Sequence, residues 1–271
     1  MLPKLAKTVM ETASKTTISQ VTANTVKLRS PSPQYMAIAQ QPSTELDEPA
    51  RQLLILDLNG TLVSRTKQSS MYVRPYQAQF LQYIFSNFDV AVWSTARPEN
   101  VANMCRLFGE FKDQIVMIWN RTHFGLTQAE YYGKTKTVKD LERVWDYFDD
   151  EYNAYNTILL DDTPSKAVVQ PYNSIHLREF DHLLPTFSQY GDNELLHVME
   201  YLDKLKYQSN VCSFMRQSPF ISPDLKFSHT DSFVCNHYLF KSMRREPMVI
   251  DFGQQWERQE KKKSHESAIQ R

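Results

Sequence analysis

Hydrophobic positions along the chain come in two spacings. Short, nearly unbroken apolar runs recur at LLIL (53–56), DVAVWS (89–94), IVMIW (115–119), NTILLDD (156–162) and SIHL (174–177). A run that is apolar at every position, rather than at every second one, fits a strand buried on both faces, as in a parallel sheet. Between these runs the period lengthens. RPYQAQFLQYIFSNF sets Phe80, Leu81, Ile84 and Phe85 on one helical face, and PENVANMCRLFG follows the second run. TVKDLERVWDYF carries Val138, Leu141, Val144, Trp145 and Phe148 at helical spacing, and GDNELLHVMEYLDKLKY starts at Asp192 or Asn193 as caps and ends near Tyr207. Strands alternating with helices predict an α/β fold: a doubly wound parallel sheet with helices on both faces.

The pattern is absent at both ends. Residues 1–50 are rich in Ser, Thr, Gln and Pro, and such a segment buries too little apolar area to offset its ordering entropy, so a disordered tail is expected. Ser30-Pro31 and Ser32-Pro33 are candidate sites for proline-directed phosphorylation. Residues 51–207 form the patterned domain. Residues 208–271 read as an irregular extension ending in a charged tail, ERQEKKKSHESAIQR.

Charge and cysteine content narrow the function classes. The 271 residues hold 31 Lys+Arg and 31 Asp+Glu, so the net charge gives no reason to expect a nucleic-acid partner. Cys105, Cys212 and Cys235 lie far apart without a CxxC pair, which argues against a zinc site or disulfide framework and for a reducing compartment. No apolar run approaches the ~20 residues of a membrane span. Lys4, Lys7 and Lys15 among Ser and Thr have some character of a mitochondrial presequence, but Glu11 and the lack of arginine before Arg29 oppose it. Cytoplasm or nucleus is therefore the expected location. The sequence carries no signal for oligomeric state.

Ligands of open α/β sheets bind beyond the carboxyl ends of the strands. Asp57 follows the first run, Ser94 ends the second, Asp161 and Asp162 end the fourth, and Lys139 precedes the fourth by one helical pattern. Any one of these reads as a cap or turn residue. The ordered set reads as one site.

ILDLNGTLV, AVWSTARPENV, VKDLERVW and ILLDDTPSKA together resemble the four motifs of the haloacid dehalogenase (HAD) superfamily, and more narrowly its FCP/NIF branch of small CTD-phosphatase-like domains. YVRPYQAQFLQYI resembles that branch's RPG-like element with Tyr76 in place of glycine. The resemblance spans about Leu53 to Tyr207 and implies a HAD-like sheet with a small insertion instead of a large cap. The expected place for a small β insert is Arg121–Thr137. The resemblance further implies a Mg²⁺-dependent phosphatase acting on phosphoprotein. Asp57 would be the nucleophile and a metal ligand, joined in the metal shell by Asp161, Asp162 and the backbone carbonyl of Asn59. Ser94 would hydrogen-bond a phosphoryl oxygen, and Lys139 would offset the charge that builds on Asp57 and the phosphate. Thr61, Arg97 and Arg121 are candidate substrate contacts, with Lys134 and Lys136 as further cations. His123 reads as a loop histidine and Tyr131-Tyr132 as a packing pair.

Asn59 departs from the family pattern. The phosphatases carry an aspartate there, which protonates the leaving alcohol and then activates water. Asparagine orients a group but does not exchange protons usefully at neutral pH, and general acid–base help is worth ~10²–10⁴-fold. Three readings remain open: a slow or altered phosphatase with another proton carrier, such as Asp162 or a water; a pseudophosphatase serving as a protein-binding module; and aspartate generated by deamidation of Asn59-Gly60.

Overall fold

The computed structural model describes residues 30–66, 70–185, 187, 192–222, 234–239 and 248–251. Its strands, in chain order, are β1 (Leu53–Leu56), β2 (Val63–Arg65), β3 (Ser70–Val73), β4 (Asp89–Trp93), β5 (Met117–Trp119), β6 (Thr157–Asp161), β7 (Ser174–His176), β8 (Val234–Leu239) and β9 (Met248–Asp251). The α-helices used below are α1 (Pro33–Gln40), α2 (Gln77–Asn87), α3 (Pro98–Met104), α4 (Gln128–Tyr132), α5 (Glu142–Tyr147), α6 (Glu194–Leu205) and α7 (Val211–Gln217).

All five apolar runs become strands of one parallel sheet, in the order β5-β4-β1-β6-β7. β1 is central, pairing Leu56 with Val92 of β4 and with Leu160 of β6. Its side chains alternate between two cores. Leu54 and Leu56 join the cluster that contains Phe80 and Ile84 of α2 and Leu195, Val198 and Leu202 of α6. Leu53 and Ile55 face Trp93, Trp119, Val144 and Trp145. Burying each such leucine contributes ~1.5–3 kcal/mol, whereas an unpaired charge in either row would cost far more. The first ionisable residue of this stretch is accordingly Asp57, one position past the end of the strand.

Three expectations need correction. The first concerns residues 33–50. α1 is ordered: Ser32 caps it, its Oγ accepting from the Tyr35 N–H at 3.2 Å, and Pro33 stands in its first turn. Tyr35 and Ala39 are buried, the Tyr35 hydroxyl accepts from the Tyr172 N–H at 2.8 Å, and Arg216 of α7 donates to the Ala39 carbonyl at 2.7 Å. Two buried side chains and these long-range bonds supply the ordering energy that the segment's composition hides. The presequence candidates Lys4, Lys7 and Lys15 lie outside the described residues.

Second, the stretch after residue 207 is not wholly irregular. Asn210 caps α7, which buries Val211, Cys212 and Met215. β8 and β9 extend a second, antiparallel sheet in the order β2-β3-β8-β9. The terminal EKKK run lies outside the described residues.

Third, residues 121–137 form no β insert. Residues Arg121–Phe124 make a 3₁₀ turn with an Asn120/His123 capping box, and Thr127 with Glu130 forms a second capping box that starts α4. Strands outside the parallel sheet come instead from β2 and β3, after the turn that follows Asp57, and from β8 and β9.

The helix expected over 137–148 is shorter, Glu142–Tyr147. Residues 135–140 before it have no regular secondary structure, and the Lys139 N–H donates to the Lys166 carbonyl at 2.8 Å. That departure from helix is what lets Lys139 point into the protein. Tyr76 takes the left-handed conformation (φ 64°, ψ 10°) at the start of α2, the backbone state that suits the glycine it replaces.

Candidate active site

Asp57 sits just past β1, where parallel pairing with β6 places it beside Asp161, and its N–H donates to the Leu160 carbonyl at 2.9 Å. Both carboxylates are almost fully buried, at 1% and 0% exposure. Asp162 joins them, and one carboxylate oxygen from each of the three lies within 4.8 Å of the others.

Two lysines neutralise this cluster. The Lys139 ammonium, itself 0% exposed, lies 2.5 Å from Asp161 Oδ2 and 3.1 Å from Asp57 Oδ1. The Lys166 ammonium lies 2.9 Å from Asp161 Oδ1, 3.1 Å from Asp57 Oδ2 and 3.5 Å from Asp162 Oδ1. Each lysine thus bridges Asp57 and Asp161 through the opposite pair of oxygens. Burial acts to raise the Asp161 pKa, but the ammonium groups, Lys139 before Lys166, outweigh it and hold the carboxyl below the usual range. Asp162 is pushed up to about 6 by burial, with Lys166 opposing and the charges of Asp161 and Asp57 adding. Burial would depress the Lys166 ammonium, but the three carboxylates overcome it and raise its pKa.

The residues that flank the cluster fix its shape. Thr61 is fully buried; its Oγ1 accepts from the Asp162 N–H at 3.1 Å and donates to Asp162 Oδ1 at 3.4 Å. Gly60 has φ +87°, and a β-carbon there would stand 2.7 Å from Asp162 Oδ2. Both the left-handed backbone and the approach of Asp162 require glycine at this position. Gly60→Ala is therefore expected to cost ~1–3 kcal/mol in urea denaturation and to displace the Asp162 carboxylate. A variant with wild-type stability would contradict that account of the turn.

The donor set suits a hard divalent cation: three carboxylates within reach of one point, two of them buried. Asp57 Oδ1 supports this fit, because it is buried and accepts no hydrogen bond; its 3.1 Å approach to Lys139 is charge contact only.

The other anticipated residues sit as follows. Ser94 is buried immediately after β4, with its N–H donated to the Trp119 carbonyl at 3.0 Å and its Oγ accepting from the Ala96 N–H at 3.3 Å. Asn59 is exposed and bridges Val63 at the mouth of the turn. Arg97 is exposed, its guanidinium 5.4 Å above the Tyr132 ring. Two expected substrate contacts are otherwise engaged. Thr61 holds Asp162, as above. Arg121 donates to the carbonyls of Tyr131, Glu130 and Gly133 at 2.7, 2.9 and 3.1 Å, which clamps the end of α4. Lys134 and Lys136 are exposed. His123 is a capping residue stacked on Trp119 at 5.4 Å, and Tyr131 packs edge-on against Tyr132 at 5.1 Å.

Sequence reasoning missed Lys166. Its signal was its position four residues after Asp162 in DDTPSKA, on the 3₁₀ turn Pro164–Ala167, a spacing that returns its side chain towards the carboxylates. Arg74 was missed as well. It is buried, bonded to Asp192 at 2.9 Å, and donates to the carbonyls of Thr61 at 2.9 Å and Arg178 at 2.8 Å, so it braces the strand of chain that carries Thr61.

Residues 52–212 match the NLI interacting factor-like phosphatase family, NIF. A Schizosaccharomyces pombe protein described as an uncharacterized FCP1 homology domain-containing protein is 33% identical over 211 residues, covering 70% of this chain and 86% of that one. The ubiquitin-like domain-containing CTD phosphatase 1 of Drosophila melanogaster is 26% identical over 58% of this chain, and the human protein of that name 24% identical over 57%. The chain spans only about half the length of these CTD phosphatases, 50% in each case. The solved structure of Fcp1, an essential RNA polymerase II CTD phosphatase, superposes with a TM-score of 0.37 at 15% identity, over 67% of this chain and 58% of that one. A likeness at that level adds nothing to the sheet topology described above. The family match over more than half the chain, together with a relative that is a third identical along most of its own length, establishes that this protein belongs to the NIF, or FCP1-homology, family.

Proposed function

We propose that the protein is a Mg²⁺-dependent phosphatase that acts on phosphorylated serine or threonine in proteins through a covalent phosphoryl group on Asp57, with slow proton transfer because position 59 is asparagine. The observation that carries this reading is the closed arrangement of Asp57, Asp161, Asp162 and Lys139, with one buried oxygen of Asp57 left without a donor.

Asp57, Asp161 and Asp162 would hold the cation, with the Asn59 backbone carbonyl as a fourth oxygen. When bound, Mg²⁺ supplies positive charge that offsets the charge spreading over the phosphoryl oxygens. The remaining steps belong to the chain. Asp57 attacks phosphorus, forming the Asp57–O–P bond as the bond from phosphorus to the substrate oxygen breaks. Lys139 offsets the charge shared by Asp57 and the phosphate, and Ser94 orients a phosphoryl oxygen from the neighbouring strand end. The departing alkoxide takes its proton from water, since the Asn59 side chain does not serve as an acid. Water then attacks the phosphoryl group, frees inorganic phosphate and restores the Asp57 carboxylate.

Phosphoprotein is the favoured substrate because, among the described residues, no large cap covers the site. A cavity of about 550 Å³, lined in part by Asn59, Ser64, Arg65, Tyr72, Asp181 and His182, opens beside the turn that carries Asn59. It offers both signs of charge and an aromatic face to the residues that flank a phosphorylated one. Among the described residues no helix is long and apolar enough to cross a membrane.

A second reading rests on Asn59 itself: the site binds phosphoprotein and releases it unchanged. Assay of wild type and Asp57→Asn on an aryl phosphate and a phosphoserine peptide with Mg²⁺ separates the two. Wild-type turnover that Asp57→Asn abolishes supports the enzyme. Phosphopeptide binding without turnover of either substrate supports the binding module.

For location we propose cytoplasm or nucleus. Imaging of the tagged full chain against a deletion of residues 1–29 tests this, and mitochondrial signal lost on deletion would refute it. The deletion stops at 29 because α1 belongs to the folded domain.

A further inference from the structure

We propose that the Lys166 ammonium is a displaceable counter-ion: it stands at the point where Asp57, Asp161 and Asp162 would hold a divalent cation, so cation binding requires Lys166 to withdraw. The inference deepens the proposed function and rests on its assignment of the three carboxylates as cation ligands; it does not rest on turnover.

The geometry distinguishes the two lysines. Both span Asp57 and Asp161, but only Lys166 also reaches Asp162, at 3.5 Å. Its nitrogen therefore contacts the same three carboxylates that make up the candidate cation site. A Mg²⁺ ion needs carboxylate oxygens at about 2.0–2.1 Å and surrounds itself octahedrally. An ammonium at 2.9–3.5 Å from those carboxylates occupies the space such an ion would take. Two cations sharing that volume would also repel strongly at so short a separation.

Lys139 cannot be the one that moves. Its side chain is wholly buried, and its backbone N–H is tied to the Lys166 carbonyl. The Lys166 side chain retains 14% exposure and extends from a short 3₁₀ turn at the rim, so its flexible four-carbon stem can carry the ammonium out to water. With Lys166 in place, three carboxylates face two ammonium groups, and the site holds its shape without metal. With Lys166 withdrawn, one site charge is replaced by a divalent one. The chain thus carries a built-in competitor for its own cofactor.

The test is Mg²⁺ binding by isothermal titration calorimetry on wild type, Lys166→Met and Lys166→Arg, with melting temperatures in EDTA and in Mg²⁺. Lys166→Met is expected to bind Mg²⁺ at least ~10-fold more tightly than wild type. It should melt lower than wild type in EDTA and recover in Mg²⁺. Lys166→Arg, which keeps the charge, should show no gain in affinity. Equal or weaker Mg²⁺ binding by Lys166→Met overturns the counter-ion role while leaving the ligand assignment intact. Failure of both wild type and Lys166→Met to bind Mg²⁺ overturns the ligand assignment, and this inference with it. Should Lys166→Met not fold, wild type suffices: covalent labelling of lysine amines, read by peptide mass spectrometry, should rise several-fold at Lys166 on adding Mg²⁺ and stay constant at Lys139. Unchanged Lys166 labelling in a protein that binds Mg²⁺ contradicts the proposal.

Discussion

Asn59→Asp is expected to raise turnover of a phosphoserine peptide by about 10²–10⁴-fold, the range that a well-placed general acid–base supplies. The substitution changes one group and little else. Asn59 is exposed at the mouth of the turn, and its bridge to Val63 is made by backbone, so the fold should hold to within about 0.5 kcal/mol. An aryl phosphate should gain much less, because its leaving group departs without help from a proton. The ratio of the two gains is the informative number. A large gain on the alkyl ester with a small one on the aryl ester places the defect in protonation of the leaving group. Equal gains on both substrates would move it to the hydrolysis of the covalent phosphoryl group. No gain on either would mean that proton traffic already runs through another group.

Lys139→Met is expected to lower stability by about 3–5 kcal/mol at pH 7, because it leaves buried carboxylates short of a partner. Lys139 approaches Asp161 at 2.5 Å, closer than Lys166 at 2.9 Å, and it also stands 3.1 Å from Asp57 Oδ1, which accepts no hydrogen bond. The pH dependence follows from the same pair. In the wild type the Asp161 pKa is depressed. Its contribution to stability is therefore present above the unfolded carboxylate pKa, about 4, and is lost as pH falls through the lower folded value. Without Lys139 the desolvation of Asp161 is no longer outweighed to the same degree, so its folded pKa rises. A raised carboxyl pKa makes the folded state bind protons more readily than the unfolded one. The gap between wild type and variant should then narrow as pH falls from 7 towards 4. Urea midpoints at pH 7 and pH 5 measure this. A deficit below about 1 kcal/mol at pH 7 would mean that Lys166 alone neutralises the pair.

What the sequence revealed depended on how local the signal was. The five parallel strands were readable as apolar runs; β1 and β6 are buried at every position, whereas the edge strand β5 keeps the apolar pattern with Ile118 exposed. The convergence of Asp57, Asp161, Asp162 and Lys139 was readable because strand ends in a parallel sheet lie together and the motifs follow in order. The second sheet was not, since β2 and β3 are only 3 and 4 residues long and β3 draws its other partner, β8, from far along the chain. α1 was hidden by its composition, because Tyr35 and Ala39 are few but both are buried. The partners that Arg121 and Thr61 have in the fold were not readable, because a cation or hydroxyl near a motif says nothing about which nearby backbone groups need a partner. Lys166 was hidden inside a quoted motif, where its role depends on a short turn returning its side chain to the strand end.

Trapping of the covalent phosphoryl group tests the central claim most directly. Wild-type protein mixed with Mg²⁺ and excess aryl phosphate, quenched in acid and mapped by mass spectrometry, should carry phosphate on Asp57. The label should be absent from Asp57→Asn. Absence of label and of phosphate release from both wild type and Asn59→Asp would contradict the assignment of Asp57 as a phosphoryl acceptor.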